Sequence, residues 1–153
     1  MAALERERDA PRTAPSPEQD ALWALEVLAD HLDPPGGVLL VGHVDLENGQ
    51  RARWQQTRTT SQLVDADLRE VADVLAALGS PIRLRLLREV IAGRTTVGQL
   101  ADTEGIGTTG QVYHHLRQLT ATGWLRRTSG GNYEIPLARV VPLLGVILAA
   151  QQP

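Results

Sequence analysis

Between Asp67 and Gly123 the chain repeats one local pattern: a residue that can cap a helix, a short apolar stripe at helical spacing, and a glycine that stops it. Asp67 precedes Glu70 and the segment closes at Gly79; Ser80 precedes Pro81 and closes at Gly93. Thr96 precedes Gln99 and closes at Gly105; Thr108 precedes Gln111 and closes at Gly123. A cap oxygen satisfies amides that lack intrahelical partners, and Glu or Gln three residues on reciprocates. Proline fits the first helical position, and glycine tolerates the left-handed exit. The stripes are Leu68, Val71, Ala72, Leu75 and Leu78; Ile82, Leu86, Leu87, Val90 and Ile91; Val97, Leu100 and Ala101; and Val112, Leu116 and Leu119. This spacing excludes a long helix or a broad sheet and predicts a small bundle of short helices.

The flanks add three pieces. Residues 1–15 mix charge, Pro and Ala without period and are expected to be a disordered tail, with no apolar stretch of a secretory signal. Ser16, Pro17 and Gln19 predict a helix start, Leu22, Leu25, Leu28 and Leu32 its buried stripe, and Pro34 to Gly37 its stop. Val38–Leu46 and Gln50–Arg58 then read as a hairpin around Glu47, Asn48 and Gly49. A three-residue loop pairs Val44 with Ala52 and Gly42 with Trp54, and gathers Val38, Leu40, Val44, Leu46, Ala52 and Trp54 on one face, which favours that register over a two-residue loop. Trp23 and Trp54 are expected to form the small core between helix and hairpin. Residues 59–66 read as a linker. After Gly123, Trp124–Thr128 and Asn132–Pro136 read as two strands joined by Ser129, Gly130 and Gly131, and Leu137–Ala150 as an apolar helix containing Pro142. Apolar nearly all round, that last helix must be buried, most simply against a second copy of the chain.

A short helix, a glycine-containing turn and a second helix is the helix-turn-helix plan, here 96–104 and 109–122, and the two-strand ribbon after it adds a wing. With Val112, Leu116 and Leu119 turned inward, Thr109, Gly110, Tyr113, His114 and Arg117 are left to face the major groove. Thr108 and the neighbouring helix amides suit a phosphate, and Arg126 and Arg127 suit the DNA backbone or minor groove. Arg83 is a further candidate for phosphate, though Arg83, Arg85 and Arg88 also read as a solvated helix face. His114 and His115 point about 100° apart on a helix and chelate poorly as a pair. His31 and His43 read as solvent-facing or packing residues.

The net charge of −3 conceals a division. Residues 1–80 hold seven Arg and fourteen acidic residues, whereas residues 81–139 hold eight Arg and four acidic ones. The basic half coincides with the helix-turn-helix and wing, a distribution suited to a polyanion.

The segments Pro81-Ile82-Arg83-Leu84-Arg85-Leu86-Leu87, Thr96-Val97-Gly98-Gln99-Leu100-Ala101, Val112-Tyr113-His114-His115-Leu116-Arg117-Gln118-Leu119 and Gly123-Trp124-Leu125 together resemble the ArsR family of winged-helix repressors. The resemblance covers roughly 67–150. It implies a homodimer on double-stranded DNA at a palindromic operator, with the helices flanking the winged module forming the dimer interface. The N-terminal helix and hairpin resemble an extension of some high-GC actinobacterial regulators. Where the family binds arsenic through thiolates this chain has Thr96 and Gly98, and where it binds zinc, on the last helix, residues 137–150 contain no Asp, Glu, His or Cys. With no Cys anywhere, thiol redox sensing is excluded too.

The expectation is therefore an α+β protein, mainly α: a winged helix-turn-helix domain over 67–136, an N-terminal helix and hairpin over 16–64, and a dimerisation helix over 137–150. Its expected role is a cytoplasmic, dimeric transcriptional repressor without cofactor or metal and with no identified effector. No run reaches the ~18 apolar residues of a membrane span. Gly130-Gly131 lacks the spacing and lysine of a phosphate loop, and no nucleophile–base pairing stands out, so an enzyme is not expected. Two other readings stay open: a small-molecule sensor with a pocket between hairpin and winged module near Trp23 and Trp54, and a winged-helix module that binds a protein instead of DNA.

Overall fold

The computed structural model describes residues 17–151, with side chains described from Leu22 onward. The expected cap Ser16 and the tail 1–15 lie outside the described residues. The caps at Asp67, Ser80, Thr96 and Thr108 form, although Glu70 does not return the box bond to Asp67. Asp67 accepts from the amides of Arg69 and Glu70 at the start of α3 (Leu68–Ala76), and Ser80 accepts from the Arg83 amide at the start of α4 (Pro81–Ile91). Thr96 with Gln99 and Thr108 with Gln111 form complete capping boxes on α5 (Val97–Ala101) and α6 (Thr109–Ala121). Leu86, Leu100, Val112, Leu116 and Leu119 meet in a core from which water is excluded. Helix α5 stops at Ala101 rather than 104, and turns carry the chain onward. Ile106, read as a turn residue, is fully buried and plugs the angle between α5 and α6.

The wing is shorter than its sequence pattern. Its strands are β3 (Arg126–Arg127) and β4 (Tyr133–Glu134), antiparallel, with Arg126 opposite Glu134 and Arg127 opposite Tyr133. Trp124 and Leu125 do not extend β3 because their amides donate to the Leu119 carbonyl, at 2.9 and 3.1 Å, and close the end of α6. The Tyr133 amide donates to the Thr95 carbonyl at 2.8 Å, which pins the wing beside the start of α5. Trp124 is core, as expected. Its indole N–H donates to the Val74 carbonyl at 2.9 Å, and the Arg139 guanidinium lies 5.0 Å from its ring centre.

The hairpin adopts the register chosen by its apolar face: β1 (Gly37–Asp45) pairs with β2 (Arg51–Thr59), with Val44 opposite Ala52 and Gly42 opposite Trp54. The Leu46 amide donates to the Gln50 carbonyl at 2.8 Å across the three-residue loop, where Gly49 takes φ +79°. A left-handed residue is what such a loop requires. The inner face packs on α7 (Leu137–Ala150) of the same chain. Two glycines permit the approach: a Cβ on Gly42 would lie 2.5 Å from Val141 Cγ1, and one on Gly145 would lie 2.8 Å from Leu40 Cδ1. Val140, Val141 and Leu143 are buried. Much of the apolar surface of α7 is thus taken up by its own hairpin, while Leu137 and Leu148 near its ends stay exposed.

Elsewhere periodicity and burial part company. On α1 (Pro17–His31), Leu22, Trp23 and Leu25 are more than half exposed, and only Leu28 and Leu32 of the expected stripe are partly covered. No Trp23–Trp54 core forms: Trp54 packs toward the central core while Trp23 faces outward. Val38 belongs to the inner face by alternation but is exposed, lying at the strand end away from the loop. The expected linker contains α2 (Thr60–Val64), capped by Thr59 and Gln62. Helix α3 buries no residue, so Leu68, Val71 and Leu75 stand in solvent; contact with the core is made through Val74 and, just beyond the helix, Ala77 and Leu78. The fold is α+β, a winged helix-turn-helix carrying an N-terminal helix and β-hairpin. No helix among the described residues is long and apolar enough to cross a membrane.

Candidate nucleic-acid interface

Because Val112, Leu116 and Leu119 are locked into the core, the opposite side of α6 is fixed in solvent. Thr109, Gly110, Tyr113, His114 and Arg117 all lie on that side and are exposed. Thr108 is exposed at the cap, where its hydroxyl accepts from the Gln111 amide at 3.4 Å; the Gln111 side chain accepts from the Thr108 amide at 2.8 Å. The hydroxyl hydrogen of Thr108 has no acceptor among the described residues and remains available.

The arginines divide sharply. Arg83 donates to the Ala76 carbonyl at 2.9 Å, to the Ala77 carbonyl, and to Gln118 Oε1 at 2.9 Å. It is a tie between α3, α4 and α6. Arg85 donates to the Glu104 carbonyl at 2.9 Å, and Arg88 and Arg94 both pair with Glu89. Arg139 stacks over Trp124. Arg126, a sequence candidate for DNA, is paired with Glu134 across the wing. Arg117 and Arg127 make no hydrogen bond, ion pair or ring contact among the described residues. Six of the eight guanidinium groups of the second half are therefore held by partners within the fold, and two are left without one among the described residues.

Those two groups border one groove of about 410 Å³ between α6 and the wing, lined by Tyr113, Arg117, Thr120 and Ala121 from the helix and Arg127 and Tyr133 from the wing. The structure thus brings Tyr113, Arg117 and Arg127 together, keeps Thr109, Gly110 and His114 on the adjoining exposed face, and leaves Arg126 neutralised. Thr120 and Ala121 were legible as the continuation of the helical row from Tyr113 and Arg117. Tyr133 was not, since its place depends on the wing folding back.

His114 and His115 sit edge to face, with ring centres 5.6 Å apart. His115 is partly buried and its Nδ1 has no hydrogen-bond partner. Burial first, then the Arg83 guanidinium and then His114 hold its pKa below the ordinary value of 6.5. No group of three or more His, Cys, Asp or Glu side chains suited to a metal occurs among the described residues. The shallow groove beside Trp54 lies on the hairpin, with His43 and Arg53, and Trp23 is not among its lining residues.

A helix pair with one exposed face, followed by a ribbon whose free arginine faces the same groove, defines the winged helix-turn-helix class. Residues 78–127 match the family model described as a helix-turn-helix domain. No curated protein and no solved structure matches the chain.

Proposed function

We propose that this protein is a sequence-specific DNA-binding transcriptional regulator of the ArsR type, acting as a dimeric repressor at a palindromic operator. One observation carries the reading: the only two arginines of the basic half left without a partner among the described residues, Arg117 and Arg127, face one groove beside the exposed row of α6. In this reading α6 enters the major groove. Thr109, Tyr113, His114 and Arg117 meet base edges, Gly110 lets the backbone approach, Thr108 donates to a phosphate, and Arg127 anchors the wing. Arg126 joins them only when released from Glu134.

The exposed stripe of Leu68, Val71 and Leu75 on α3 supports a second copy as its cover, because a row of large apolar side chains on one helix face gains from burial. A two-fold dimer presents two recognition helices to two half-sites about 34 Å apart. Selection of binding sites from genomic DNA by the purified protein tests the reading. Recovery of an inverted repeat supports it, and recovery of no enriched sequence refutes it. Sedimentation of the wild type and of Leu75→Glu tests the dimer: a wild-type dimer converted to monomer is expected, and a wild-type monomer excludes it. DNA affinity is expected to be the same in zinc, arsenite or chelator.

A further inference from the structure

The tip of the β1–β2 hairpin stands over the base of the wing and leaves a cleft of about 220 Å³ beneath it. Its wall is apolar, with Leu46 from the hairpin, Val90 and Ile91 from α4, and Ile135 and Val140 from the chain beyond the wing. Its polar lining residues are Asn48 and Gln50 of the turn, Thr95 and Glu134. Glu134 is the one charged residue on the lining, and no arginine reaches it from the cleft side. Its Oε1 accepts from Arg126 Nε on the wing, while its Oε2 accepts no hydrogen bond among the described residues. The side chain is 30% exposed and pairs across the wing, and the same residue lines the cleft.

These groups select a ligand by charge and size. An anion would meet the carboxylate without a compensating cation, whereas an ammonium can donate to the free Oε2 in partly desolvated surroundings, where such a charge-assisted bond is stronger than in water. The apolar wall rewards a hydrocarbon body. The volume falls below the ~300–1,000 Å³ usual for drug-sized ligands, so the body must be compact.

We propose that this cleft binds a small organic ammonium with a compact apolar body, and that Glu134, shared between the cleft and Arg126, couples its occupancy to the wing. An ammonium on Oε2 shares the carboxylate's single negative charge with Arg126 on Oε1 and so weakens the hold on the guanidinium. Under the DNA-binding reading above, on which this coupling rests, the wing then gives up a second arginine more readily and DNA affinity rises.

The test starts without DNA. Calorimetric titration of the full chain compares cyclohexylmethylamine, cyclohexanemethanol and cyclohexanecarboxylate, which share a body and differ in head group. Saturable binding of the amine, about tenfold or more tighter than the alcohol, with the carboxylate weaker still, is expected. Glu134→Gln should reduce the amine to the level of the alcohol. Arg126→Ala, at an exposed position that the fold tolerates, keeps the carboxylate and removes its competitor, so it should tighten amine binding severalfold. A carboxylate that binds as well as the amine, no saturable binding by any of the three, or an Arg126→Ala protein with unchanged amine affinity overturns the site. On a duplex recovered by selection, the amine should strengthen wild-type binding and leave Arg126→Ala unaffected. Duplex binding indifferent to the amine overturns the coupling. Amine binding by a protein that binds no duplex supports the site and refutes the DNA-binding reading.

Discussion

Arg83 Nη1 donates to Gln118 Oε1 at 2.9 Å, joining the first turn of α4 to the recognition helix α6 across 35 positions of sequence. The same guanidinium also caps carbonyls at the end of α3, so one side chain holds three helices in register. Arg83→Ala is expected to lower stability by about 1–2 kcal/mol in urea unfolding, given the partial exposure of these bonds. The salt dependence of DNA binding should be unchanged. A slope reduced by about one would instead place Arg83 on a phosphate.

Arg117 and Arg127 should fail in different ways. Arg117→Ala is expected to cost about 1–3 kcal/mol on a selected site and to relax the base preference at one position of each half-site. Arg127→Ala should weaken all sequences alike and reduce the salt slope by about one. Gel-shift titrations over a series of salt concentrations separate the two. Unaltered binding by both variants would remove the groove from the interface.

The Gly42–Val141 and Gly145–Leu40 approaches set the distance between hairpin and α7. Gly42→Ala places a methyl inside the Val141 side chain and is expected to destabilise by about 1–3 kcal/mol. Gly145→Ala meets a similar obstacle but gains about 1 kcal/mol of helix propensity, so its net loss should be smaller. Chemical denaturation of both variants orders them. A stabilised Gly42→Ala would mean that the two elements are not interlocked.

His115 predicts the direction of an acid effect. Its folded pKa is lowered, so the unfolded chain takes up a proton first as pH falls through about 6.5, and stability contributed at higher pH is lost from there down to the folded pKa. His115→Gln should flatten that part of the curve. Thermal melts from about pH 8 to 5 measure it, and an equal slope in both proteins would assign the effect to other groups.

Much of the recognition unit was readable in advance because its determinants are local. A threonine and a glutamine three residues apart close the capping boxes at Thr96 and Thr108 whatever surrounds them. The spacing of Val112, Leu116 and Leu119 orients α6 by helical geometry alone. The hairpin register followed from the only alignment that collects Leu40, Val44, Ala52 and Trp54 on one side. The stripes on α1 and α3 were equally regular, yet Leu22, Leu25, Leu68 and Leu75 remain exposed in the single chain. Periodicity identifies an apolar face but says nothing about what covers it.

The sequence by itself determined where α3 to α6 begin, which face of α6 turns inward, and how the two hairpin strands align, because each depends on residues within a turn or a loop of one another. Only the tertiary structure decided that α7 lies under its own hairpin, that Ile106 is buried in the core, and that six of the eight arginines in the basic half are occupied while Arg117 and Arg127 have no partner among the described residues. A guanidinium is engaged by whatever carbonyl, carboxylate or ring the fold delivers to it, and for Arg83, Arg85 and Arg139 those partners come from other elements of the chain.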